Sequence, residues 1–146
     1  MKIRSLHSWN LTPKEAMEVQ RRLRSRVERD DRVGRLRRVA GVDVGLDRAT
    51  RRARAAVAVL SWPDLELEEW ARATRAVEFP YVPGLLSFRE IPAVLEALKR
   101  LKHPPDLLIC DGQGYAHPRR FGLACHLGVL TDRPAIGVGK SRLVGS

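Results

Sequence analysis

Apolar residues at Ala16, Val19, Leu23 and Val27 fall at intervals of three and four, the spacing of one buried helical face. The segment TPKE at 12–15 opens that run with a threonine cap, a glutamate three residues on and a proline at the first helical position, so a helix of about four turns is expected. The period then changes. VAGVDV at 39–44 is a short apolar strand carrying one acid near its end. Residues 54–62 are rich in Ala and Val and read as a second strand, closed by a turn at Trp62-Pro63-Asp64. Residues 65–77 alternate apolar and polar around Leu65, Leu67 and Trp70 and read as a third.

FPYVPG at 79–84 is a stiff loop, because two prolines fix φ and Gly84 breaks the run. Ile91, Val94, Leu95, Leu98 and Leu101 mark an amphipathic helix in which Pro92 is tolerable only in the first turn. A fourth strand, DLLIC at 106–110, is followed by a helix over 118–130 and a fifth strand over 134–138. Three meandering strands followed by helix, strand, helix and strand describe an α/β fold with a mixed sheet, its first and fourth strands side by side. That is the ribonuclease H-like plan, here a single domain over residues 1–146. It would place Asp43 and Asp111 on adjacent strands, close enough to share a divalent cation.

Charge narrows the partner. Lys and Arg number 27 against 17 Asp and Glu, a net charge of +10, which points to a polyanion: nucleic acid first, an anionic membrane second. The arginines cluster at Arg21, Arg22, Arg24, Arg26, Arg29, Arg32, Arg35, Arg37 and Arg38, and again at Arg48, Arg51, Arg52 and Arg54; a solvated basic face is the alternative. No apolar run approaches the about 18 residues of a membrane span, so a soluble, cytoplasmic protein without a membrane role is expected. The two cysteines, Cys110 and Cys125, suggest buried thiols rather than a disulfide or a thiolate metal site.

The segment DGQGYAHPRRFGLACHLGVL at 111–130 carries the candidate chemistry. Asp111 falls where a parallel strand ends, the place from which side chains reach a ligand crevice. Gly112 and Gly114 allow a sharp turn and a close approach. Metal-assisted phosphodiester cleavage needs carboxylates from separate elements, and Asp43, Glu90 and Asp111 are the candidates. Hard oxygen ligands favour Mg²⁺, with Mn²⁺ as a substitute, over zinc. Two structural alternatives stand beside this: Asp43 as a turn acid next to Gly45, and Glu90 as the partner of Ser87 in a capping box, since SFRE at 87–90 has that pattern. GVGKS at 137–141 does not make a phosphate-binding loop for a nucleotide hydrolase, because Pro134 stands where that motif needs glycine.

VAGVDV, FPYVPGLLSFRE, DGQGYAHPRRFGLACHLGVL and IGVGKSRLVG, in this order and spacing, resemble the endonuclease V family of repair nucleases for deaminated bases. The resemblance runs from about Val39 to the last residue. It implies a ribonuclease H-like fold and a DNA repair endonuclease that recognises deoxyinosine (hypoxanthine) and nicks the strand 3′ to the lesion by Mg²⁺-dependent hydrolysis, leaving a 5′-phosphate. On matching positions it makes Asp43, Glu90 and Asp111 the metal-holding acids, with His117 and Lys140 near the scissile phosphate. Tyr81, held by Pro80, Val82 and Pro83, would be the wedge that fills the gap left by a flipped base. Leu86, Gly112, Gln113, Gly114, Gly122, Leu123 and Leu143 would border the base pocket. Members of the family continue past the last block, so a C-terminally incomplete member is expected. A basic domain that binds damaged nucleic acid without cutting it is the other reading. The choice between DNA and inosine-containing RNA, and the oligomeric state, stay open.

Overall fold

The computed structural model describes residues 1–28, 34–112, 114 and 117–138. Arg29, Arg32, Gln113, Lys140 and Leu143, singled out above, lie outside the described residues.

The first helix, α1 (Pro13–Leu23), begins as its sequence dictates: the Thr12 side chain accepts from the Glu15 backbone N–H, and the Glu15 carboxylate accepts in turn from the Thr12 N–H. It is shorter than expected, tightening into a 3₁₀ turn at Arg24–Arg26. Three strands then meander, β1 (Arg38–Asp47), β2 (Arg52–Ser61) and β3 (Leu67–Ala76). The third starts two residues late because Leu65 adopts a φ of 57°, a left-handed conformation that no strand accepts. Helix α2 (Ser87–Lys99), β4 (Leu107–Asp111), α3 (Leu123–Thr131) and β5 (Ala135–Val138) complete the described elements.

The sheet order is β3-β2-β1-β4-β5. β1 and β2, and β2 and β3, pair antiparallel, whereas β4 runs parallel to both β1 and β5. The expected neighbours, first and fourth strands, are in register with Val42 opposite Cys110.

Two helical expectations need correction. Pro92 sits in the second turn of α2, not its first, because the helix begins at Ser87. Having no N–H, it forfeits the bond to the Phe88 carbonyl, a loss offset by complete burial of Ile91, Val94 and Leu98 on the same helix. Helix α3 begins at Leu123 rather than 118. Residues 117–122 are held instead by the His117 ring, which accepts from the Arg119 and Phe121 backbone N–H groups, with Arg120 at a φ of 56°.

Strand alternation decides which sheet face is covered. Ala40 and Val42 of β1, the odd residues Ala53 to Val59 of β2, Ala71 and Ala73 of β3, and Leu108 and Cys110 of β4 pack against α2 and α3 in the main core. A second cluster, of Ala16, Val19 and Leu23 with Phe79, Leu85, Phe88 and Phe121, ties α1 to the proline-rich loop. Among the described residues nothing covers the opposite sheet face. Trp70, Ile109, Ile136 and Val138 stand on it with 61%, 38%, 50% and 53% of their surface exposed.

Candidate active site

The central pair of strands presents the first two acids. Asp43 lies between Val42 and Val44, which face the helices, so alternation turns it to the open face of the sheet. Asp111 ends β4, one residue beyond Cys110 just as Asp43 is one beyond Val42. Glu90 comes from another element, the first turn of α2.

The acids occupy two clefts that meet at Asp111. Asp43 and Asp111 line a shallow depression with Gly41, Ile109 and Val138. Asp111 and Glu90 line a narrower cleft of about 180 Å³ with Gly84, Leu86, Ser87, Gly112, His117, Gly122 and Leu123. Burial and then the charge of Asp111 push the Glu90 carboxyl up to about 7; Arg89 opposes this and Asp43 adds to it. Among the described residues no three His, Cys, Asp or Glu side chains converge into a ready-made metal cage. The donor chemistry suits a hard divalent cation, because positive charge relieves a carboxyl such as Glu90, whose pKa burial and neighbouring acids push up. The arrangement is open rather than closed, with Asp43 in one cleft and Glu90 in the other.

Glu90 does not cap α2. That helix begins behind Leu86 with no side-chain cap, because the Ser87 hydroxyl is spent elsewhere, 2.9 Å from His126 Nδ1. His126 Nε2 in turn lies 2.7 Å from His7 Nε2, and His7 Nδ1 lies 2.8 Å from the Ser8 carbonyl. The carbonyl can only accept, which fixes the order of protons: Ser87 O–H donates to His126, His126 Nε2–H to His7, and His7 Nδ1–H to Ser8. This order is that of two neutral rings, the state burial favours by holding both pKa values below the ordinary histidine value.

His117 closes the small cleft from the side. It is 4% exposed. Its Nδ1 accepts two backbone N–H groups, so its single proton is on Nε2 and is donated to the Gly84 carbonyl at 2.6 Å. Burial, opposed by that bond, lowers its pKa. Gly112 is required by a close approach and not by its φ: a Cβ there would stand 2.8 Å from a Leu123 methyl. Gly114 has room for a methyl group, the nearest atom being Ala124 Cβ at 3.6 Å.

Above this cleft the loop over 79–86 carries Tyr81, 67% exposed, with the Arg89 guanidinium 5.7 Å from its ring centre. Pro80 and Pro83 are exposed on either side and Val82 is half-buried. The structure thus brings Glu90, Asp111, His117, Leu86, Gly112, Gly122 and Leu123 together, with Asp43 next door.

A mixed sheet with carboxylates on its central parallel pair and a helix-borne third acid defines a ribonuclease H-like domain. The Endonuclease V family model matches residues 21–146, and the chain belongs to the endonuclease V family. It is 53% identical over 146 residues to an endonuclease V of Nostoc punctiforme, covering 99% of this chain and 66% of that protein. The fold matches the crystal structure of endonuclease V from Streptomyces avermitilis at 51% identity and a TM-score of 0.86, over 97% of this chain and 63% of that one. It also matches, at 31% identity and a TM-score of 0.80, endonuclease V of Ciona intestinalis in complex with a 23mer DNA containing an inosine followed by a ribo-adenosine, over 90% of this chain and 59% of that one. The chain thus spans about two thirds of the length of these relatives.

Four participants escape a reading of the sequence: Gln20, Ser87, His126 and Arg119. One carries a signal. Gln20 lies on the apolar face of α1, between Val19 and Leu23, and is wholly buried, a polar residue where the helical period calls for an apolar one. Ser87 and His126 are 39 residues apart and meet only through the packing of α2 and α3.

Proposed function

We propose that this domain serves a DNA repair endonuclease that recognises deaminated bases, deoxyinosine above all, and hydrolyses a phosphodiester 3′ to the lesion to leave a 5′-phosphate. One observation supports this most: two acids, Glu90 and Asp111, share a small apolar-walled cleft with Leu86, Gly112, Gly122 and Leu123, which sits beside an exposed, proline-flanked tyrosine. A base turned out of a helix needs such a slot, and the helix it leaves needs something flat in its place. Tyr81 is that filler. Backbone groups around Gly112 and Gly122, which line the cleft, would meet the base edge. DNA containing inosine is the substrate favoured here, because the Ciona relative was crystallised with it; inosine-containing RNA is the second.

Asp43, Asp111 and Glu90 would hold Mg²⁺, with Mn²⁺ as a substitute. A divalent cation held there supplies charge that favours ionisation of an attacking water and steadies the leaving oxygen. Without one, Glu90 keeps its proton to about pH 7; cation binding must therefore displace a proton in the neutral range and strengthen as pH rises. His117 contributes by position, since both of its ring nitrogens are engaged.

The division of the acids between two clefts favours a second reading, a domain that binds lesions without cutting. A nicking assay on an inosine-containing duplex decides between them. Mg²⁺-dependent cleavage is expected, lost by at least about a hundredfold in Asp43→Asn and Asp111→Asn, with duplex binding retained because the basic residues remain. Binding without cleavage at any Mg²⁺ or Mn²⁺ concentration would select the second reading.

A further inference from the structure

The base of the Tyr81 loop is fixed by a single acceptor, the Gly84 carbonyl, which receives three side-chain donors from two distant parts of the chain. His117 Nε2 reaches it at 2.6 Å, Gln20 Nε2 at 2.8 Å and Arg119 Nη2 at 3.3 Å. A carbonyl has two lone pairs, so this one is fully subscribed. Gln20 is the hub of the arrangement: its other amide atom, Oε1, accepts from Arg119 Nε, and its Nε2 also lies 3.5 Å from the Phe121 carbonyl. It is wholly buried on α1, while Gly84 follows Tyr81 by three residues and Arg119 and Phe121 belong to the turn before α3. Gly84 itself has a φ of 86°, a left-handed conformation that favours glycine, and a Cβ there would come within 2.7 Å of Arg119 Nη2. Gln20 and His117 are buried, so losing this acceptor leaves their donors unsatisfied.

Resting on the function proposed above, the geometry points to Gln20 as a positioning residue for lesion recognition, which sets where the Tyr81 loop stands over the Glu90–Asp111 cleft by holding the Gly84 carbonyl. It touches neither base nor phosphate. Its effect is carried by the loop, so it governs discrimination between an inosine-containing duplex and a matched one, where the tyrosine must replace a stacked base. On single-stranded inosine DNA, with less stacking to replace, it matters less.

Gln20→Glu keeps the shape and the acceptor for Arg119 but turns an oxygen toward the Gly84 carbonyl; Gln20→Met keeps the length and removes both polar atoms. In both, exchange of the buried Leu85 amide, which donates to the Val82 carbonyl in the loop, is expected to quicken at least tenfold at fixed pH, while β1 and β4 keep wild-type protection. Binding without divalent cation should lose about tenfold in preference for the inosine duplex over the matched duplex, with a smaller change on the single strand. Unchanged exchange in the loop, or equal quickening throughout the fold, overturns the proposal. So does a wild-type chain that prefers inosine beside variants that keep the same preference. A wild-type chain with no preference for inosine overturns instead the recognition function on which the proposal rests, whatever the exchange result.

Discussion

A carboxyl that keeps its proton to about pH 7, as Glu90 does through burial and its acidic neighbours, favours the folded protein only while protonated. Its folded pKa lies above the unfolded one, so its stabilising contribution is complete in acid and is lost as pH rises through about 7. A tenfold difference in proton affinity between the folded and unfolded chain is worth about 1.4 kcal/mol, so a rise from 4.5 to about 7 makes about 3.5 kcal/mol the upper bound. Glu90→Gln, unfolded thermally in EDTA, should therefore match the wild type at pH 4.5 and exceed its Tm at pH 8. An equal Tm at both pH values would mean that the carboxyl is better solvated than its place in the cleft indicates. At this scale the acids are legible in the sequence and their surroundings are not. Asp111 announces itself at a strand end followed by glycine and Asp43 as the one acid of a short apolar run, although β1 continues past it to Asp47; SFRE at 87–90 reads equally as a helix cap, and only the capture of the Ser87 hydroxyl by His126 removes that reading.

Elements whose signals are local match their sequence: the Thr12 capping box, the proline loop and the meander of β1 to β3. Those whose boundaries depend on a distant partner do not, as with the start of α3, displaced by the His117 ring that the Gly84 carbonyl of a distant loop engages. The N-terminal segment ahead of α1 shows the same dependence. His7 packs on Trp9, with ring centres 4.5 Å apart, and meets His126 of α3 nitrogen to nitrogen. Protonation of His7 at Nε2 would set one N–H against the other, and protonation of His126 at Nδ1 would turn the acceptor of the Ser87 hydroxyl into a second donor. Both folded pKa values are lowered, so stability is complete above the unfolded value near 6.5 and falls as pH drops below it, by at most about 1.4 kcal/mol per pH unit for each proton excluded. His7→Gln keeps an acceptor for His126 and cannot titrate. Its Tm should fall less than that of the wild type between pH 7 and pH 5, and parallel losses would remove the histidine contact as the acid-sensitive joint.

Over the whole molecule, a net charge of +10 and an open apolar sheet face respond to salt in opposite senses. Affinity for duplex DNA should drop steeply, with log K falling by about 0.9 for each phosphate contacted per tenfold rise in salt; a flat response would argue against binding through the arginines. The same charge also keeps molecules apart. Mutual repulsion protects the face bearing Trp70, Ile109, Ile136 and Val138, and ions screen it within a distance of about 10 Å at 0.1 M. Salt therefore releases the protein from nucleic acid and, in the same step, removes its colloidal protection. The interaction between molecules in dilute solution, measured as an osmotic second virial coefficient, should pass from net repulsion to net attraction as salt rises, and sooner with sulfate than with chloride. Salt high enough to strip nucleic acid from the arginines is thus expected also to lower the protein's solubility.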